Sequence, residues 1–333
     1  MRSLPPLYGD ARRWALVQAD ALDLLAKLPD QSVDAVVTDP PYGIDFNGSA
    51  WDGRDIRATA TRGTSGPVAF EGWTSKWASE CLRVLRPGGY LVAFGATRTV
   101  HRLTAGIEDA GFEVRDQLAW LYGSGVPKTG LRNGRSGTLK PGYEPIVLAR
   151  KPSPSAHRGA VDGLLGIDAT RVSGGRWPAN LLLGHHPRCT SRLCTRACPV
   201  GELDRAHPTR RPSRFYYCAK PARREREHGL DALDARTANI FGGRPTRPRR
   251  NVHPTVKPVE LMRWLVRLTA PAGAVVLDPF TGSGTTGLAA LAEHCQFVGI
   301  EQDATYTRIA IERLRQAAKL PEKGAGRARA PTS

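Results

Sequence analysis

Two short stretches of this 333-residue chain set side by side groups that a bond-making reaction needs. The first, "VVTDPPYGI" at residues 36–44, ends an apolar run on Asp39, Pro40, Pro41 and Tyr42. Asp39 offers a carboxylate and Pro40 a backbone carbonyl, two acceptors on adjacent residues. The prolines fix the backbone and bring no amide donors to compete for those acceptors. Tyr42 adds an aromatic face on which a planar ring can stack. Such a corner can accept both N–H bonds of an amino group, turn its lone pair toward an electrophile and stabilise the positive charge that develops on nitrogen. The plainer alternative is a Pro-Pro strand terminator with Tyr42 in the core.

The second stretch, "VVLDPFTGSGTTGLAALAEH" at residues 275–294, is an apolar strand, a glycine turn and a helix. Gly282, Gly284 and Gly287 fit G-x-G-x-x-G, where glycines allow a tight turn and the free amides of the helix start face a ligand. The usual reading is a dinucleotide fingerprint, with Glu301 at the end of the next strand holding ribose hydroxyls. No Lys follows the glycines, which excludes a phosphate-binding P-loop. Asp278 puts a carboxylate at the turn; it would repel a pyrophosphate but accepts from an ammonium or from loop amides. That favours S-adenosylmethionine over a dinucleotide. The candidate cofactor-binding residues here are Asp278, Phe280, Gly282, Gly284, Thr285, Thr286 and Glu301.

The elements that must position these stretches alternate. Residues 15–20, 33–39, 89–95, 112–120, 143–150, 274–280 and 296–301 read as strands. Residues 21–28, 73–85, 97–111, 259–270, 287–294 and 305–317 carry apolar residues at helical spacing. The expected fold is α/β, a mostly parallel sheet with helices on both faces. Such sheets bind ligands just beyond the carboxyl ends of their strands, so Asp39 and Gly282, 243 positions apart, are expected to share one crevice. The alternation breaks at residues 45–72, expected as a mobile loop, and at 151–252, a Pro-, Gly- and Arg-rich insertion expected to be weakly structured. The tail, 319–333, is expected to be disordered.

DPPY near the start, "RVLRPGGYLVAFG" after it, "HPTVKPVELMRWLV" late and "LDPFTGSGTTG" later still resemble the DNA amino-methyltransferases of the β class, whose motif order is circularly permuted. "SRFYYCAK" and "WPANLLL" resemble the phage-type site-specific methylases of that group. The resemblance covers about two thirds of the chain. It implies a Rossmann-like S-adenosylmethionine-dependent methyltransferase fold, with 1–150 as the catalytic half, 253–318 as the cofactor-binding half and 151–252 as the region that recognises the DNA target. It also implies that His253, Thr255 and Lys257 lie against the methionine part of the cofactor, that Asp20 meets its adenine and that Glu301 takes its ribose. Plainer readings stand beside these: Asp20 as a helix cap and Lys257 as a surface cation at a helix start. Asp in the first position of DPPY leans toward adenine N6, with cytosine N4 as the alternative. C5-cytosine methylation needs a nucleophilic Cys, and no Pro-Cys strand end is present. The remoter alternatives are an NAD-dependent oxidoreductase and a DNA-binding protein without catalysis.

Charge agrees with a nucleic-acid partner. Lys and Arg number 48 against 31 Asp and Glu, a net charge of +17. Residues 205–250 alone hold thirteen basic and four acidic residues, which taken alone fits a solvated arginine-rich loop as well as a nucleic-acid face. The expected partner is double-stranded DNA; a homodimer and a cognate restriction endonuclease are further partners the resemblance allows. No apolar run is long enough for a membrane span, so no membrane association is expected and a cytoplasmic place is the default. Six cysteines are too few for a disulfide framework. Cys189, Cys194 and Cys198, preceded by His186, could form a structural zinc knot in the insertion, although C-x4-C-x3-C is not a standard spacing. The alternative is reduced, partly buried thiols. Trp177, Phe215, Tyr216 and Tyr217 interleave with Arg, a composition that suits base stacking or a small local core.

Overall fold

The computed structural model describes residues 7–10, 13–61, 63–122, 135, 137, 139, 141–153, 163–171, 175, 177–184, 189, 194–196, 198–206, 221, 223–237 and 248–319. The first part of the chain forms β1 (Leu7–Asp10), β2 (Trp14–Gln18), α1 (Ala21–Leu25), β3 (Val33–Thr38), α2 (Arg54–Ala58), α3 (Gly66–Val84), β4 (Leu85–Phe94), α4 (Val100–Asp109), β5 (Glu113–Tyr122) and β6 (Tyr143–Arg150). There follow β7 (Leu181–Gly184), α5 (Pro199–Ala206), α6 (Arg223–Glu227), α7 (Val259–Thr269), β8 (Val275–Asp278), α8 (Thr285–Ala292), β9 (Gln296–Glu301) and α9 (Ala304–Lys319). The expectation of disorder beyond Lys319 lies outside the described residues.

The nine strands make one sheet in the order β1-β2-β9-β8-β3-β4-β6-β5-β7. The run from β2 to β4 is wholly parallel, and β5 and β7 are parallel to each other. β1 and β6 run antiparallel to their neighbours. β3 shows why its sequence is apolar throughout rather than alternating. Ala35 and Val37 enter one core with Leu261, Trp264, Leu265 and Leu314, from α7 and α9. Val36 enters the opposite core with Leu25, Trp77, Cys81 and Leu103, from α1, α3 and α4, and Val33 joins it across an irregularity in the register between Val33 and Ala35. Successive strand residues point to opposite faces, and both faces are covered by helices. The register Ala35↔Val276 and Val36↔Leu277 joins β3 to β8, so the two distant halves of the chain meet at the centre of the sheet.

Two expectations are corrected. Residues 45–72 are not an unstructured loop: they contain α2 and the first turns of α3, with Ile56, Ala69 and Phe70 buried. The polar composition concealed a helix start at Gly66-Pro67, where Pro costs nothing because the first amides of a helix have no internal partner. The stretch 151–252 is also partly built into the fold. β7 extends the sheet beside β5, Leu165 and Ile167 pack on the α7 core, and Gly166 N donates to Leu268 O at 2.8 Å. Among the described residues, no helix is long and apolar enough to cross a membrane.

Candidate functional site

Strands β2, β9, β8, β3 and β4 end at one edge of the sheet, and the antiparallel β6 begins there. Beyond that edge lies a cleft of about 590 Å³. Asp39 and Gly282 both line it, so the two stretches that carry chemistry open on the same space.

On one wall, Asp39 follows the end of β3 and is largely buried. Its Oδ2 accepts from Lys257 Nζ at 2.5 Å and its Oδ1 from the Tyr42 hydroxyl at 2.7 Å. Lys257 also lies 3.3 Å from Glu144 Oε2 and 3.2 Å from Tyr42 Oη, and its ammonium stands 4.8 Å from the centre of the Phe94 ring. Glu144, at the start of β6, accepts from Tyr122 Oη at 3.1 Å. One cation is therefore shared by two carboxylates in the cleft wall. Burial pushes the Asp39 carboxyl above its ordinary range, against the pull of Lys257. Burial also opposes the charge on Lys257, but Asp39 and Glu144 together hold its pKa above the usual lysine value. Tyr42 is held protonated by burial and by the adjacent Asp39, which fixes it as the donor in their bond.

The loop that follows Tyr42 is organised by a residue that the sequence did not mark. Asp52 is 1% exposed, and its carboxylate accepts from four backbone amides: Tyr42 at 2.5 Å, Gly43 at 2.9 Å, Ile44 at 3.2 Å and Phe46 at 2.8 Å. Carboxylate bonds to amides are the strong kind, so this anchor fixes the chain just after the Pro-Pro corner. The carboxyl is raised all the same, because burial outweighs the four amides.

The opposite wall is the glycine turn. Asp278 Oδ1 accepts from Thr38 Oγ1 at 2.6 Å and Phe280 N at 3.1 Å, and its Oδ2 from Thr286 Oγ1 at 2.6 Å. Glu301, at the end of β9, accepts from Gly282 N at 2.7 Å and Asp303 N at 2.8 Å. Burial raises Asp278 to about 6 and Glu301 to about 7. Gly282 and Gly284 have φ of +54° and +80°, a region that side chains disfavour. A Cβ at Gly282 would lie 2.7 Å from His253 Nε2, and one at Gly284 would lie 3.1 Å from Ala310 Cα. From behind, the buried Arg313 of α9 donates to Ser283 O, Ser283 Oγ and Thr285 Oγ1 at 2.6, 3.0 and 3.1 Å. His253 packs edge-on against Tyr306, and burial lowers its pKa to about 3, so the ring is neutral; its Nδ1 is buried without a partner.

Of the residues singled out in the sequence, Asp39, Pro40, Pro41, Tyr42, Asp20, His253, Thr255, Lys257, Asp278, Phe280, Gly282, Thr285, Thr286 and Glu301 all line this cleft. Gly284 does not; it gives the turn its conformation against α9. Asp20 caps α1, accepting from Leu22 N and Asp23 N, and still faces the cleft. Lys257 is not a surface cation: it is 6% exposed, and its ammonium contacts are with the Asp39 wall. Phe280 lies 5.5 and 5.6 Å from the rings of Trp73 and Trp77. Sequence reading passed over Asp52, Glu144, Trp73 and Arg313. Of these only Arg313 left a sign, a charged residue on the apolar stripe of a helix. Cys189, Cys194 and Cys198 converge outside the cleft, while His186, Phe215, Tyr216 and Tyr217 lie outside the described residues.

Comparison with known proteins agrees with this geometry. A family model described as DNA methylase matches residues 33–312. The Type II methyltransferase M.HindIII of Haemophilus influenzae is 24% identical, over 90% of this chain and 94% of its own. The Type II methyltransferase M2.DpnII of Streptococcus pneumoniae is 22% identical, over 92% of this chain and 91% of its own. The solved structure of the PvuII DNA methyltransferase (cytosine-N4-specific) superposes with a TM-score of 0.59 at 18% identity, covering 90% of this chain and 86% of that one, a likeness of fold.

Proposed function

The chain belongs to the DNA methylase family, and on that premise we propose that its cleft methylates the N6 amine of adenine in double-stranded DNA, on a base flipped out of the duplex. It is an S-adenosylmethionine-dependent DNA amino-methyltransferase. The residues of the glycine wall suit that cofactor. Gly282 leaves room for the His253 ring against the turn, and the carboxylates of Asp20, Asp278 and Glu301 form an acceptor set on the cleft wall. Acceptors of this kind match ribose hydroxyls and an ammonium and disfavour a pyrophosphate. Asp20, His253, Thr255, Asp278, Phe280, Gly282, Thr285, Thr286 and Glu301 would hold the cofactor there. When bound, S-adenosylmethionine supplies a methyl group on a sulfonium, electrophilic enough for a neutral amine.

The single observation that carries the reading is the cleft shared by Asp39 and Gly282, with Asp39 held by Lys257. A carboxylate has about four acceptor positions, so Asp39 can keep Lys257 and Tyr42 and still accept one N–H of the target amine. The Pro40 carbonyl accepts the other. Lys257 favours the ionised form of Asp39 despite its burial, and Glu144 holds Lys257 in place. Charge growing on the amine nitrogen is met by Asp39, and the surplus proton leaves through that carboxylate, whose pKa burial has already raised. Tyr42 offers its ring to the base while its hydroxyl orients Asp39. Cytosine N4 is the second reading, because Asp39 and Pro40 would hold either amine in the same way.

We place target recognition in residues 151–252, where basic residues are concentrated and Trp177 is 70% exposed. DNA affinity is then expected to fall steeply with salt while cofactor affinity holds. Two relatives named as Type II methyltransferases make a restriction endonuclease of matching specificity the partner to look for, and a homodimer the assembly to test. The decisive experiment incubates the protein with labelled S-adenosylmethionine and mixed-sequence DNA, then identifies the modified nucleoside after hydrolysis. N6-methyladenine supports the lead reading and N4-methylcytosine the second; unlabelled DNA from cofactor-competent protein removes both.

A further inference from the structure

Beyond the far edge of the sheet, none of it lining the cleft, lies a second convergence of reactive side chains. Cys189, Cys194 and Cys198 are free thiols whose Sγ atoms all lie within 4.8 Å of one another. Cys198 is fully buried and the other two are half-buried. Two of the sulfurs already receive backbone amides: Thr195 N donates to Cys189 Sγ at 3.4 Å and Gly201 N to Cys198 Sγ at 3.4 Å. Cys198 stands immediately before α5, and the amide it accepts belongs to the residue three positions on, so its sulfur occupies the place of a helix N-cap. A neutral thiol is a poor acceptor for such donors, whereas a thiolate is a good one.

Among the described residues, the local apolar core holds Leu183, Cys198 and Val200, with Leu121, Leu181 and the other two cysteines packed around it. Small folds with little apolar area are commonly held together by disulfides or a metal. No disulfide joins the three residues.

We propose that Cys189, Cys194 and Cys198 bind one zinc ion as thiolates, and that the metal fastens the segment following β7 to the sheet edge. Three sulfur ligands select zinc over hard cations such as magnesium or calcium. Tetrahedral geometry with zinc–sulfur bonds of about 2.3 Å places sulfurs about 3.8 Å apart, so binding draws these three together by no more than about 1 Å. Each thiol that ligates gives its proton to solvent, and the fourth position falls to water or to a nitrogen or oxygen donor. In the unusual C-x4-C-x3-C spacing, a helix start supplies Cys198, which stands just before α5. Because β7 pairs with β5, which leads toward the cleft at Trp120 and Tyr122, the ion would brace the edge of the sheet on which the insertion rests.

The test uses the full chain, purified without chelator. Elemental analysis is expected to find one zinc per chain, released stepwise as a mercurial titrates the thiols. Replacement by cobalt is expected to give the intense thiolate charge-transfer bands and tetrahedral d–d absorption of a site with three sulfur ligands. Cys194→Ser should lose the metal, whereas Cys81→Ala and Cys295→Ala, whose thiols lie elsewhere in the core, should keep it. Cofactor binding by Cys194→Ser reports whether that variant is folded; if it is not, the cobalt spectrum of the unaltered chain decides alone. A chain that is metal-free and takes up no equivalent of zinc or cobalt overturns the proposal, as does zinc that remains in folded Cys194→Ser.

Discussion

The two walls of the cleft are built on different principles. On the glycine wall every carboxylate oxygen of Asp278 and Glu301 is met by a hydroxyl or amide from within a few residues or from the neighbouring strand. Arg313 adds a brace from behind. That wall is finished before any ligand arrives, which limits the entropy lost on binding. On the other wall Asp39 and Glu144 divide one ammonium between them, and the ammonium comes from a segment 218 positions away from Asp39. Its charge balance depends on a long-range ion network, the kind of arrangement that changes when any one member moves. A site that must hold a permanent shape for one ligand and respond electrically to another is well served by this division.

Removing the acceptor at the centre of the responsive wall is the harshest way to probe the difference. Asp39→Ala is expected to lower kcat by about 10²- to 10³-fold in single-turnover methylation while calorimetry finds cofactor affinity unchanged. A comparable loss of cofactor affinity would break the contrast between the walls. Lys257→Met comes next. It leaves two buried carboxylates without their cation and is expected to cost on the order of 3 kcal/mol in denaturant unfolding. The sign with pH follows from the carboxylates. Without Lys257 the Asp39 pKa in the folded state, already raised by burial, rises further above its unfolded value, so stability is lost as pH rises, and the deficit should be larger near about pH 8 than near about pH 5. A pH-independent deficit would mean that Lys257 acts by packing alone.

A gentler cut, Asp52→Asn, tests whether the loop after the Pro-Pro corner belongs to the responsive wall. The neutral amide is a weaker acceptor for the four backbone donors, and a loss of about 2 kcal/mol is expected. Faster hydrogen exchange at Tyr42, Gly43, Ile44 and Phe46 should accompany it; unchanged exchange would remove Asp52 from the anchor. The smallest effect belongs to the glycine wall. Glu301, raised to about 7, must be ionised to accept hydroxyl donors well, so cofactor affinity should fall as pH falls, approaching tenfold per unit below about 7. Glu301→Gln should flatten that profile. A slope that survives in Glu301→Gln would assign the titration elsewhere.

What could be read from the residues alone follows the same contrast. The glycine turn, the Pro-Pro corner and the strands that end in them are local: their backbone geometry is written in the Gly, Pro and apolar run at that spot, and a parallel sheet then brings their ends to one edge. Asp20 illustrates the limit, since the plain capping role and a place in the cleft belong to the same side chain. Glu144 and Asp52 read as ordinary acids in a strand start and a polar loop. Their meaning lies in partners that only the folded chain supplies: an ammonium from 257, and four amides gathered by a turn. Lys257 likewise reads as the cation of a helix start. It stands just before Pro258, whose extended backbone caps α7, and the carboxylates of Asp39 and Glu144 make its burial tolerable. The error over 45–72 has the same source, for a segment poor in apolar residues was organised by one buried acid.

Arg313 lies 30 positions beyond Ser283, the residue whose carbonyl it holds. On a ribosome, the glycine bend is therefore made well before the guanidinium that steadies it. A nascent chain would carry the whole Pro-Pro corner and most of the sheet, yet lack a seated bend until α9 folds down. Methylating power would thus switch on late in synthesis, and a translation product broken off short of position 313 would be silent rather than half-active.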